Sequence, residues 1–151
     1  RRKSALGATL LFTAVGEPML YHGQTMGQDT PKNIDHNFID WEGLGTAGGS
    51  GLRDHYKRLA GLRRERDALR STNIAIDAVM SDQKSAVYHR WNDAGDEVVV
   101  VANFSPENRR LAVPMPRQAK WREFFSGDEA ELGGTVEIDV EHWAAKVFLK
   151  T

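Results

Sequence analysis

Val98-Val99-Val100-Val101-Ala102, entered through Asp93-Ala94-Gly95-Asp96, is the stretch on which the fold turns. An unbroken run of β-branched residues has no polar side to offer water, so it reads as the centre strand of a sheet covered on both faces. The Asp/Gly-rich tetrapeptide before it reads as a hairpin turn. Moving towards the N-terminus, Ala86, Tyr88 and Arg90 alternate with Val87, His89 and Trp91, and Ile74, Ile76 and Ala78 with Ala75, Asp77 and Val79. That period of two is the signature of strands. Moving the other way, further strands are expected around Arg110 to Val113, Trp121 to Phe125, Val136 to Val140 and Trp143 to Leu149. Pro114, Pro116, Gly127 and Gly133-Gly134 separate them. About seven short strands at this spacing predict an all-β antiparallel sandwich or barrel over residues 72–151.

Near Ser71 to Asn73 the period changes. Leu52, Tyr56, Leu59, Leu62 and Leu69 stand at helical spacing, with Arg53, Lys57, Arg63, Arg64 and Arg66 on other faces, so an amphipathic helix precedes the sheet. The apolar stripe stabilises it more than the Asp54–Arg58 pair, which is worth tenths of a kcal/mol. Gly27 to Gly51 is polar and ends in Gly45-Thr46-Ala47-Gly48-Gly49-Ser50-Gly51. Its length leaves a functional loop, a disordered stretch and a spacer all open. Further upstream, Ser4 is placed to cap a helix over Ala5 to Phe12. Met19-Leu20-Tyr21-His22-Gly23, after Gly16-Glu17-Pro18, reads as a short buried strand. Residues 1–71 are therefore expected to form a helix-strand-helix α/β layer, and residues 72–151 a sandwich.

The 151 residues carry 20 basic and 21 acidic side chains, a formal net charge of −1. No global field exists to hold nucleic acid or anionic lipid. No apolar run approaches the ~20 residues of a membrane span. The absence of cysteine excludes disulfides and thiolate chemistry but leaves cytoplasmic and secreted compartments equally open. His36, His55, His89 and His142 lie too far apart for a metal-ligand spacing. Asn103-Phe104-Ser105 fits a glycosylation acceptor only formally, since Pro106 follows. The chain opens on Arg1-Arg2-Lys3 and enters an apolar segment within a few residues, which suggests a piece of something longer.

Leu10-Leu11-Phe12-Thr13-Ala14-Val15-Gly16-Glu17-Pro18-Met19-Leu20-Tyr21-His22-Gly23-Gln24 resembles the last helix-to-strand passage of α-amylase-family barrels, glycoside hydrolase family thirteen. Ile39-Asp40-Trp41-Glu42 resembles the Asp-Trp pair after the eighth barrel strand. Tyr56 through Leu69 resembles the final barrel helix, and the sheet that follows resembles the family's C-domain in architecture more than in residues. At Thr25 the sequence departs from the family, many members of which carry a glutamate there.

The resemblance implies a fold of two parts, a remnant of an α/β barrel over 1–71 (helix, eighth strand, long loop, final helix) and a C-terminal β-sandwich over 72–151. It implies a parent that hydrolyses or transfers α-glucan by double displacement, with carboxylates on barrel strands upstream of Arg1. No Asp or Glu here matches those motifs, so no catalytic residue is assigned and the piece alone is expected to be inactive. The partners implied are the rest of the catalytic barrel and an α-glucan or oligosaccharide, with no cofactor in this stretch and a calcium requirement of the parent left open. Barrel active sites are built from loops at strand C-termini. Tyr21, His22, Gln24 and Trp41 are thus the candidates for a wall of the sugar cleft. The alternative is a non-catalytic carbohydrate-binding module presenting Trp91, Trp121 or Trp143 to a sugar.

Overall fold

The computed structural model describes residues 1–31 and 34–151. Eight strands make up the C-terminal half: β1 (Ile74–Met80), β2 (Ser85–Trp91), β3 (Glu97–Asn103), β4 (Arg109–Pro114), β5 (Ala119–Glu123), β6 (Glu129–Leu132), β7 (Thr135–Val140) and β8 (Ala144–Lys150). Six form one sheet in the order β1-β2-β3-β8-β5-β6, and β4 pairs with β7 in a second sheet, every ladder antiparallel. Asn92 and Asp96 close the predicted hairpin, with Gly95 at φ 89° supplying the left-handed step.

Every residue of β3 is buried. Val99 and Val101 point into the space between the sheets with Val87, Leu111, Val113, Trp121, Val140 and Phe148. Val98 and Val100 point the other way, joining Tyr88, Val147 and Leu149 under a layer of helices. The valine run is thus apolar throughout because each face has its own cover. Strand β6 was not foreseen: Glu129-Ala130-Glu131-Leu132 is a short, charged edge strand with little apolar content to betray it.

The helical layer consists of α1 (Arg2–Thr13), α2 (Ala47–Glu65) and α3 (Asp67–Arg70). Leu52, Tyr56, Leu59 and Leu62 of α2 meet Ala8 and Phe12 of α1 and the sheet in one core. Full burial of each such leucine is worth roughly 1.5–3 kcal/mol, which is what holds helices and sandwich together. Among the described residues no helix is long and apolar enough to cross a membrane.

Three expectations are corrected. Helix α1 begins before Ser4, and no side chain caps it. The Gly45–Gly51 stretch is not a spacer: α2 starts at Ala47, capped by Thr46 Oγ1, which accepts from Gly49 N at 3.0 Å. Burial of the downstream stripe and a good cap outweigh the low helix propensity of Gly48, Gly49 and Gly51. Met19 to Gly23 forms no strand, since it has no ladder partner, and Met19 is 80% exposed. A strand is defined by its neighbour, and among the described residues none lies beside this segment.

Candidate functional site

Tyr21, His22 and Gln24 sit on one turn. Gly23 (φ 73°) and Gly27 (φ 69°) flank a single 3₁₀ turn, Gln24–Met26, and both conformations favour glycine. Gln24 holds the turn from inside, its backbone N–H donating to Tyr21 O and its Oε1 accepting from Tyr21 N, each at 2.9 Å. Its side chain also hydrogen-bonds the Tyr56 hydroxyl on α2. Burial raises the Tyr56 phenol pKa, and the Gln24 bond opposes that. The Tyr21 and His22 rings stand 6.0 Å apart, both exposed.

Trp41 comes from the far end of the loop and is 67% exposed. What brings the two ends together is Gln28. Its Nε2 donates to Phe38 O (2.9 Å) and Thr30 Oγ1 (2.7 Å), and its Oε1 accepts from Asp40 N (3.1 Å). Asp40 Oδ1 then accepts from the N–H groups of Glu42 and Gly43, starting the 3₁₀ turn Glu42–Gly45 beneath Trp41. Gln28 carried no sequence signal, because a lone glutamine in a polar loop looks like any other.

The result is a loop pinned by the Gln24, Gln28 and Asp40 side chains that displays Tyr21, His22, Phe38 and Trp41 to solvent. Aromatic rings so displayed can bind by stacking. The carboxylate that organises the loop, Asp40, accepts from the backbone amides of Glu42 and Gly43. Among the described residues no three His, Cys, Asp or Glu side chains converge as metal ligands.

The tryptophans of the alternative reading fare differently. Trp121 is 1% exposed and part of the inter-sheet core, so it is removed as a surface platform. Trp91 stacks on His89, which hydrogen-bonds Asp77 at 2.8 Å. Trp143 lies beneath the Lys3 ammonium, 4.2 Å from its ring centroid. Asn103 is fully buried and donates to Glu107 O, Val140 O and Glu141 O, so it offers no glycan acceptor.

Fold and loop together define an all-β domain with a helical lead-in that carries an exposed aromatic loop. Residues 76–149 match the family described as "Alpha amylase, C-terminal all-beta domain", and the chain belongs to the α-amylase family. It is 31% identical over 156 residues to the 1,4-α-glucan branching enzyme GlgB of Nitrosococcus oceani, covering 93% of this chain and 20% of that protein. With the same-named enzyme of Burkholderia thailandensis it is 31% identical over 128 residues, or 80% of this chain and 15% of that one. The chain thus spans a fifth or less of the length of these relatives. Among solved structures it superposes on a cyclomaltodextrinase with TM-score 0.84 and 23% identity, over 99% of this chain and 26% of the other. An Anoxybacillus α-amylase gives TM-score 0.82 and 19% identity, over 99% and 32%. At these identities the superpositions establish the fold.

Proposed function

We propose that this chain is the C-terminal part of an α-glucan-acting enzyme of the branching type, a transglycosidase whose catalytic carboxylates lie in polypeptide outside these residues. The observation that carries the reading is the alignment with enzymes named 1,4-α-glucan branching enzyme across 80 to 93% of the chain, too much to be confined to the all-β domain. Retaining glycosyl transfer needs two carboxyl groups about 5–5.5 Å apart, and no residue here is assigned to either role. Residues 1–71 contribute the end of a barrel, and the sandwich buttresses it through the core it shares with α1 and α2. Tyr21, His22 and Trp41 contribute to the rim of the glucan cleft by stacking, while Gln24 positions the turn rather than touching sugar.

Incubating amylose with this chain, and separately with a polypeptide extended upstream, and then counting α-1,6 branch points after debranching, tests the proposal. Branch formation by the extended protein alone is the expected result. Branching or glucan hydrolysis by the 151-residue chain would overturn it, as would an extended protein lacking a carboxylate pair. In the active extended protein, Trp41→Ala is expected to raise the KM for amylose several-fold with less effect on kcat, because a stacking contact binds substrate and transition state alike.

A further inference from the structure

A second feature lies away from the aromatic loop. Between the helical layer and the sandwich is a cleft of about 450 Å³, lined from α1 by Arg2 and Thr9, from α2 by His55, from the turn after β5 by Phe125, and from the β7–β8 turn by Glu141 and Trp143. Its volume falls within the roughly 300–1,000 Å³ of small-molecule sites. We propose that this cleft is a non-catalytic binding site for a segment of α-1,4-glucan chain; the ligand class rests on the branching-type reading above, and the site itself on the geometry that follows.

The wall is fixed before any ligand arrives. The His55 ring stacks on Phe125 at 5.0 Å and 12°, Phe124 packs edge-on against Phe125 at 4.9 Å, and Arg58 lies 5.0 and 5.2 Å from the two phenyl centroids. Arg58 also donates to the carbonyls of Phe124 and Phe125, tying the turn to α2. His55 Nε2 lies 3.0 Å from Thr9 Oγ1 and 3.1 Å from Ala5 O, which fixes the ring plane. Binding therefore requires little side-chain ordering.

The opposite wall contains a residue in a conformation its type rarely adopts. Trp143 has φ 50° in the tight β7–β8 turn, a left-handed position where glycine or asparagine is the low-energy choice. Its N–H donates to Ser105 O and Lys3 covers its ring, so the strained placement of the indole beside the cleft is secured by its neighbours.

The charges select the ligand. Arg2 and Lys146 are matched by Glu123 and Glu141 among the lining residues, Arg2 pairs with Glu141 at 2.6 Å on the rim, and Glu123 is occupied by the N–H groups of Phe125 and Ser126. A cleft with balanced charge, mostly apolar walls and a polar rim suits a neutral amphiphile whose ring faces are apolar and whose edges carry hydroxyls. A pyranose chain fits that description, whereas a phosphate ester or a basic peptide does not.

Maltoheptaose titrated into the 15N-labelled chain, with amide shifts followed residue by residue, tests the site. Saturable shifts at His55, Phe125 and Trp143 are expected, with cellohexaose binding at least about tenfold more weakly. Trp143→Asn removes the indole while relieving the left-handed strain, so the thermal midpoint should hold or rise while affinity falls about tenfold or more. Shifts absent from the cleft, shifts unaffected by Trp143→Asn, or equal binding of cellohexaose would each overturn the proposal. The branching assay reads polypeptide outside this chain, so loss of the cleft with branching intact leaves the functional reading standing, and binding without branching leaves the cleft standing.

Discussion

Arg90 is fully buried yet faces no carboxylate. Its guanidinium donates to Thr13 O at the end of α1 (2.7 Å), Leu69 O at the end of α3 (3.4 Å), and Ser71 O and Asn73 O in the connection to β1 (2.5 and 2.8 Å). Helix C-termini carry partial negative charge and unpaired carbonyls, and here one cation from β2 serves two of them. Burial, and then the nearby Arg63 charge, lower its pKa without threatening its protonation. Arg90→Met should cost about 2–4 kcal/mol, because it leaves several carbonyls unpaired, and urea denaturation should show a lower midpoint at similar slope. His55 makes a pH-dependent counterpart. Burial holds its pKa below the usual histidine value, the Ala5 carbonyl bond opposes this, and the Arg58 charge lowers it further. Arg2, Glu123, Glu141 and Lys146 line the same cleft. With the folded pKa depressed, the unfolded chain takes up the proton first as pH falls. Stability from this group is therefore complete above about pH 6.5 and declines as pH drops from there through the folded pKa. Urea midpoints at about pH 7.5 and about pH 5.5 should differ in the wild type and differ less in His55→Gln.

Three glycines of α2 differ in what an added side chain would meet. A Cβ at Gly49 would collide with the Gly43 carbonyl oxygen, whereas one at Gly51 or Gly61 meets nothing within 4 Å. Gly→Ala in a helix interior normally gains about 0.5–1 kcal/mol. Gly51→Ala and Gly61→Ala should therefore raise the thermal midpoint by roughly 2–4 °C per kcal/mol in a protein of this size, while Gly49→Ala should lower it. Equal effects at Gly49 and Gly51 would show that the 3₁₀ turn Glu42–Gly45 does not rest on α2 as described. This region also marks where the sequence could be read and where it could not. The stripe Leu52, Tyr56, Leu59 and Leu62 announced α2 because periodicity reports which face is buried. Its first turn was hidden, since the Thr46 cap and the Gly49–Gly43 approach are contacts between residues whose types alone suggest a loop. In the sheet, β3 was legible from its valines, while β6 was not, because an edge strand with one half-buried leucine has no pattern to read. Of the candidate loop, Tyr21, His22 and Trp41 were singled out by the family resemblance, and the exposure of Tyr21 and His22 was not foreseen, because an apolar run between glycines reads as a buried strand. The partnership of Gln24 with Tyr56 and of Gln28 with Phe38 and Asp40 was not legible either, being a product of chain folding alone.

At the scale of the whole molecule, the helix-side face of the large sheet is covered unevenly. Over β3 and β8 it lies beneath α1 and α2, but at edge strand β1 the residues on that face, Ile74, Ile76 and Val79, are 39, 61 and 69% exposed. Met19 and Leu20, which follow α1, are exposed as well. Scattered exposed apolar residues need no explanation, but a row of three on one face of an open sheet edge is an association hazard that folded monomers usually blunt with charge. In the functional reading, polypeptide preceding α1 would cover this face as part of the barrel. The 151-residue chain should accordingly self-associate as its concentration rises, measured by sedimentation velocity. The pair Ile76→Lys and Val79→Glu should keep it monomeric with a nearly unchanged thermal midpoint, because exposed substitutions of this kind stay within about 0.5 kcal/mol. In the extended protein the same pair should instead lower the thermal midpoint, since there it would place two charges in a buried contact. A wild-type chain that stays monodisperse at high concentration, together with an extended protein indifferent to the two charges, would show that nothing packs on β1 and would separate the sandwich from the barrel it is proposed to support.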